Sequence, residues 1–159
     1  MINGLETSLN HQSNLYNQGI PCPELYSHKG KYVINTLNGE LFILMGLCEG
    51  SNIKAGAANQ NQMYSLGKII GQMHKILNCN NTVPMSLHWD VRSKESMIAN
   101  WQERWKEAIS LGCNNMFSQC EKGWGHWDLF VDNILFKTNS VAAILDFDRM
   151  NYVYPEFDI

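Results

Sequence analysis

Long apolar segments are missing from this sequence of 159 residues: the longest run, Leu41 to Leu47, has Gly46 inside it and falls far short of the ~20 residues that cross a bilayer. An excess of basic charge is also missing. Twelve Lys and Arg stand against fifteen Asp and Glu, a net charge of -3, so no global field draws in nucleic acid. The five cysteines (Cys22, Cys48, Cys79, Cys113, Cys120) are an odd set without paired short spacing, which argues against a disulfide framework or a zinc knuckle and for free thiols. Residues Met1 to Asn10 have neither the basic head nor the apolar core of a secretory leader. With 45% hydrophobic and 17% charged residues, these absences describe one globular domain, expected in the cytoplasm, with neither a membrane nor nucleic acid as partner and its oligomeric state open.

The patterning of what is there predicts an α+β chain. Leu5 to Asn17 reads as a helix with Leu5, Leu9 and Tyr16 on one side, stopped at Gly19 and followed by an extended exit at Pro21 and Pro23. Lys31 to Leu37 and Glu40 to Leu47 are strand-like runs around Asn38-Gly39, a strong hairpin signal. Glu49 to Ala58 reads as a loose linker. Met63, Leu66, Ile70, Met73 and Leu77 recur at helical spacing and predict a helix over Gln60 to Leu77. A second helix is expected over Ser93 to Ser110, capped by Ser93, with Trp101 and Trp105 as core packed against the first. Strands at Ile134 to Phe136 and Val141 to Leu145, joined by a turn, close the pattern.

The residues that point to chemistry lie around that last hairpin. Gly125-His126-Trp127-Asp128-Leu129-Phe130-Val131-Asp132-Asn133 is a His-x-Asp-x-x-x-x-Asn skeleton, and Ile144-Leu145-Asp146-Phe147-Asp148 ends the returning strand. A short hairpin brings Asn133 and Asp146 to the same end. Moving a phosphoryl group requires an aligned hydroxyl and neutralised phosphate charge more than covalent help. Asp128 is placed to accept the hydroxyl proton, and Asn133 and Asp146 are oxygen ligands of the kind magnesium prefers. His126 is better suited to bracing the loop. Asp132 reads as a solvated loop acid, and Asp148 as either the edge of the metal site or a partner for Arg149. Glu6 reads as a solvated first-turn acid and His74 as a satisfied, half-buried histidine.

This skeleton resembles the catalytic and metal loops of the protein-kinase-like fold, and in detail those of the aminoglycoside phosphotransferases, choline kinases and type II homoserine kinases. In that group the loop usually reads His-Gly-Asp-Leu-His-x-x-Asn and the metal strand ends Ile-Asp-Phe-Asp. The resemblance implies Asp128 as catalytic base with His126 beside it, Asn133 and Asp146 as magnesium ligands, and ATP as the donor to a small-molecule hydroxyl acceptor. It also implies that Met45, Gly46, Leu47 and Cys48 border the adenine, that residues 1–48 are a partial N-lobe with its hinge strand, and that residues 49–159 are the core of the C-lobe. Three departures stand out: Trp127 replaces the usual glycine, Phe130 replaces the usual histidine or lysine, and neither a glycine-rich phosphate loop nor its lysine is in the sequence. The chain is therefore expected to be a fragment and a poor kinase. Two other readings stay open: an inactive kinase-like remnant that only binds, and a metal-dependent hydrolase using His126, Asp128 and Asp146.

Overall fold

A computed structural model describes residues 2–79, 122–153 and Asp158, and among these the chain is α+β, with three small antiparallel sheets. Helix α1 (Ile2–Asn17) packs on a sheet of β1 (Leu25–Tyr26), β2 (Val33–Asn35) and β3 (Leu41–Met45) in the order β1-β3-β2. Leu25 lies opposite Met45 and Val33 opposite Ile43. The β2–β3 turn is one residue longer than a bare Asn-Gly turn. Leu37 to Gly39 span the gap, the Thr36 amide donates to the Glu40 carbonyl, and Gly39 takes φ +80°.

The inner face of this sheet buries Leu9, Leu25 and Val33, and the far end of α1 delivers Leu15 to the larger core. Tyr16, expected on the buried side, is exposed, and Leu15 takes its place. The expected stripe misses because its middle is polar: Gln12 is buried and donates to the Pro23 carbonyl at 2.9 Å. Glu6 is also not simply solvated. Its half-buried carboxylate accepts the backbone amides of Tyr32 (2.7 Å) and Val33 (3.1 Å), satisfying donors at the entry to β2.

Helix α2 (Gln60–Leu77) has the bounds its periodicity predicts. Asn59 and Gln62 form a reciprocal capping box with both bonds at 2.9 Å. Gln62 also donates to the Thr138 carbonyl, and so faces inward. This rotates Met63, expected in the buried stripe, out to solvent, while Ile70, Met73 and Leu77 are buried as expected. Each buried side chain of this size contributes roughly 1.5–3 kcal/mol. Met73 and Leu77 pack with Ile134, Phe136, Val141, Ile144, Phe147 and Met150 of the hairpin region. The expected Ser93–Ser110 helix, its contacts through Trp101 and Trp105, and Cys113 and Cys120 lie outside the described residues. No described helix is long and apolar enough to cross a membrane.

Strands β5 (Ile134–Lys137) and β6 (Ser140–Ile144) form the last hairpin, with a bulge after Leu135. The segment read as a loose linker is tied to it. Ser51 exchanges both backbone hydrogen bonds with Phe136 (3.0 and 2.9 Å), and Asn52 reaches the carbonyls of Val131, Asp132 and Ile134. Gly50 makes this approach possible. At φ +133°, an added Cβ there would stand 2.9 Å from the Leu135 Cβ and 3.2 Å from the Phe136 carbonyl oxygen. Gly50→Ala is expected to cost about 1–3 kcal/mol through overpacking and strain. Gly56→Ala, at φ +75° with open space around it, should cost only about 1 kcal/mol. Equal losses of midpoint in parallel urea titrations would contradict this packing.

Candidate active site

Strand β4 (Gly123–Gly125) enters the site and pairs with β7 (Asn151–Val153), so the loops after β4 and after β6 spring from one two-stranded base. Asn78, the C-cap of α2, pins β4 by exchanging bonds with Trp124: 2.6 Å from the Trp124 amide and 3.0 Å to its carbonyl. Between β4 and β5 the chain turns through residues 126–130 and a 3-10 turn, Val131–Asn133. Beyond β6, the Leu145 amide donates to the Asn133 carbonyl at 2.8 Å, which sets Asn133 beside the residue preceding Asp146.

The loop hangs from a buried carboxylate. Asp158 accepts the amides of His126 and Trp127, each at 2.6 Å, and the Nε2 of His74 at 2.8 Å, and its side chain is fully out of solvent. Gly125 permits this, since a Cβ there would sit 2.9 Å from an Asp158 carboxylate oxygen. His126 is fully buried with both ring nitrogens engaged. Its Nδ1 accepts the Asp128 amide (3.2 Å) and its Nε2 donates to the Leu145 carbonyl (2.9 Å), which fixes the neutral tautomer. Burial lowers its pKa against the pull of Asp158 and the other nearby acids. His126 thus braces both loops, with its ring against the edge of Phe147. Trp127, at the position where glycine is usual in the resembling family, has φ +68°.

Asp128 is held from one side. Asn133 Nδ2 donates to its backbone carbonyl at 2.8 Å and to Oδ2 at 3.2 Å, and Arg149 Nε stands 3.6 Å from the same oxygen. Having spent its amino group on Asp128, Asn133 has an amide oxygen to which no described residue donates. Asp146 is exposed, in the left-handed region at φ +61°, and it crowds Asp148. Burial, then the charge and contact of Asp146, push the Asp148 carboxyl up to about 6, while Arg149 pulls it down. Asp148 Oδ1 is buried without a hydrogen-bond partner. An undonated amide oxygen, an exposed carboxylate and an orphaned carboxylate oxygen suit a hard divalent cation. Among the described residues no group of three or more His, Cys, Asp or Glu is arranged to hold a metal ion, so only two carboxylates and the amide oxygen are at hand. Asp132 is exposed, as expected for a solvated acid.

At the other side, Met45 ends β3, the Gly46 amide donates to the Glu24 carbonyl (2.8 Å), Leu47 is fully exposed and Cys48 is half-buried. Sequence reasoning missed Asn52 and Asp158, whose partners lie far along the chain; it saw His74 as satisfied but not what it bonds. Replacing Asp158 by Asn turns an acceptor into a donor among three donors. About 3 kcal/mol of stability should be lost in chemical denaturation, and a loss under about 1 kcal/mol would mean that the loop does not hang from this group. His126 and His11, both held neutral by burial, have folded pKa values below the unfolded 6.5. Their contribution is present above pH 6.5 and is lost as pH falls below it. Asp148, pushed up to about 6, works the other way in this window, so the test is made in Asp148→Asn: its thermal midpoint should decline between pH 7.5 and 5.5, and a flat profile there would contradict the assignment.

Known proteins resemble this chain over most of its length. The model of the phosphotransferase enzyme family matches residues 11–159. A homoserine kinase of Mesorhizobium japonicum is 24% identical over 153 residues, spanning 84% of this chain and 44% of the kinase. Two solved GDP complexes of aminoglycoside 2'-phosphotransferase-IIIa, of a point variant and of the wild type, superpose with TM-scores of 0.57 and 0.54 at 16% and 15% identity. Each superposition covers 95% of this chain and 58% or 59% of the solved one. The chain thus spans about half the length of the relatives it matches. The fold is protein-kinase-like, and the chain belongs to the phosphotransferase enzyme family.

Proposed function

We propose that this chain carries the catalytic centre of an ATP-dependent, magnesium-dependent phosphotransferase acting on a hydroxyl group of a small molecule. The observation that carries the reading is the arrangement around Asn133, whose amino group bonds the Asp128 carboxylate and whose backbone carbonyl accepts the Leu145 amide, just before the Asp146–Asp148 pair. The acceptor oxygen forms a bond to the γ-phosphorus as the bond to the β,γ-bridging oxygen breaks. The hydroxyl proton passes to Asp128 Oδ1, and the diphosphate leaves. Magnesium, held by Asn133 and Asp146 with Asp148 at its edge, would neutralise phosphate charge.

Met45, Gly46, Leu47 and Cys48 border the purine, with the Leu47 and Cys48 amides bonded to no described residue and so available to its edge. In this reading residues 1–48 are the N-lobe part with the hinge and residues 49–159 the C-lobe core. Both kinds of relative act on small molecules by name, one on homoserine and one on an aminoglycoside, which supports a small hydroxyl acceptor without choosing between them. The GDP in the solved relatives makes guanine nucleotides a second donor to test. A cytoplasmic setting fits the unpaired thiols of Cys22, Cys48 and Cys79. The hydrolase alternative is disfavoured because both His126 nitrogens are already committed.

Titration calorimetry with ADP and GDP, each with and without magnesium, tests the reading. Weak binding that requires magnesium and is lost in Asp146→Asn is the expected result. No binding of either nucleotide at millimolar concentration would overturn it. Turnover by residues 1–159 should lie well below the ~1–10³ s⁻¹ of ordinary enzymes. Asp128→Asn should remove at least about 10²-fold of whatever turnover there is, without weakening nucleotide binding.

A further inference from the structure

We propose that Cys22 and Cys48 are a reversible thiol–disulfide pair, closed by peroxide, that locks the chain leaving β3 onto the segment between α1 and β1. It does not depend on the phosphotransferase reading. The β1–β3 ladder sets Leu25 opposite Met45, and one step further the Gly46 amide donates to the Glu24 carbonyl at 2.8 Å. Continued two more residues along each chain, the same antiparallel register puts Cys22 opposite Cys48. Residues directly opposite in such a ladder have Cα atoms about 4.5–5.5 Å apart, within the ~4.4–6.8 Å that a disulfide spans. The Cys22 thiol also feels the charge of Cys48, which agrees with that placement.

The two thiols are unequal. Cys22 is buried, its Sγ donates to the Gln12 carbonyl at 3.8 Å, and burial, then the Cys48 charge, push it up to about 12. Its segment is tied on both sides, since Gln12 of α1 donates to the Pro23 carbonyl and the Ile144 amide of β6 to the Pro21 carbonyl. Cys48 is half-buried, on a stretch held by backbone bonds at Gly46 and again at Ser51, next to the fully exposed Leu47. An oxidant therefore meets Cys48 first, and Cys22 resolves it. The Cys48 thiolate attacks one peroxide oxygen, the O–O bond breaks, and the departing hydroxide leaves as water, giving a sulfenic acid. The Cys22 sulfur then attacks the Cys48 sulfur, the S–O bond breaks, and a second water departs with the Cys22 proton. Two thiols lose two electrons, and one peroxide becomes two waters. Burial lifts the Cys48 thiol as well, so its thiolate is scarce and closure is slow. In a reducing setting the pair reopens by thiol exchange.

The test treats the whole reduced chain with hydrogen peroxide, blocks the remaining thiols with N-ethylmaleimide, unfolds the protein and digests it with trypsin. Cleavage after Lys29, Lys31 and Lys54 leaves Cys22 and Cys48 in separate peptides, 1–29 and 32–54. Mass spectrometry should find these two peptides joined, and dithiothreitol should separate them. The joined pair should be absent in Cys48→Ser, whose site is half-buried and tolerates a hydroxyl, and retained in the control Cys79→Ser. The thermal midpoint of the oxidised chain should rise by roughly 5 °C and return with dithiothreitol, because the bond closes the loop between the two residues. A Cys48 that stops at the sulfenic or sulfinic acid, or that pairs with Cys79, Cys113 or Cys120, would overturn the pairing. An unchanged or lowered midpoint in the joined chain would overturn the lock.

Discussion

The amides of His126 and Trp127 both point at the Asp158 carboxylate, and nearly everything else in the site follows from that attachment. Two consecutive amides can donate to one carboxylate only if the chain bends sharply between them. Trp127 accordingly takes φ +68°, a conformation that costs a non-glycine residue about 1–2 kcal/mol. Charge-assisted bonds to a fully buried carboxylate are strong enough to hold that bend. Beyond the bend the Asp128 side chain keeps only a small part of its surface in solvent, while His126 closes on the Leu145 carbonyl. Asp146 is the second non-glycine residue of the site in the left-handed region, at φ +61°. Strain thus sits on both loops, next to the groups that would meet substrate, and a rigid β4–β7 base supports it.

How much of this was legible in the sequence varies with the range of the interaction. Turn chemistry and strand length act locally, so Asn38-Gly39 and the Asn133–Asp146 hairpin could be read from residues alone. The bounds of α2 could be read from its apolar repeat, and the Asn59 cap agrees with them. Buried amides defeated the same method. Gln12 and Gln62 are polar but inward-facing, each bonded to a distant carbonyl, and each displaced a neighbour, Tyr16 or Met63, from the side assigned to it. The Ser51–Phe136 exchange uses only backbone groups, which carry no side-chain signature, and Gly50, inside the stretch that reads as a linker, serves close approach. Asp158 was invisible for a different reason: an acid near the end of a sequence looks solvated until the fold carries three donors to it.

The tie between residues 50–52 and the hairpin also bears on how the site works. Residues 45–48, where the purine is proposed to lie, lead directly into Ser51 and Asn52, and Asn52 holds the carbonyls of Val131, Asp132 and Ile134. The Ser51–Phe136 backbone pair and the Asn52 side chain thus tie this segment to the turn that carries Asn133. The purine and phosphate ends of a nucleotide would thus be gripped by one continuous piece of backbone. Alignment to within a fraction of an ångström matters in a reaction whose catalysis is mostly positioning.

Electrostatics supplies the remaining constraint. Crowding Asp146 against a half-buried Asp148 is unfavourable by itself, which is why the second carboxyl is pushed up to about 6. A fold that keeps two acids in contact, with one oxygen orphaned and an asparagine oxygen undonated nearby, is less stable without a cation than with one. Metal binding should relieve that repulsion, and the relief draws the ion and its phosphate ligands to the end of the hairpin where Asp128 waits.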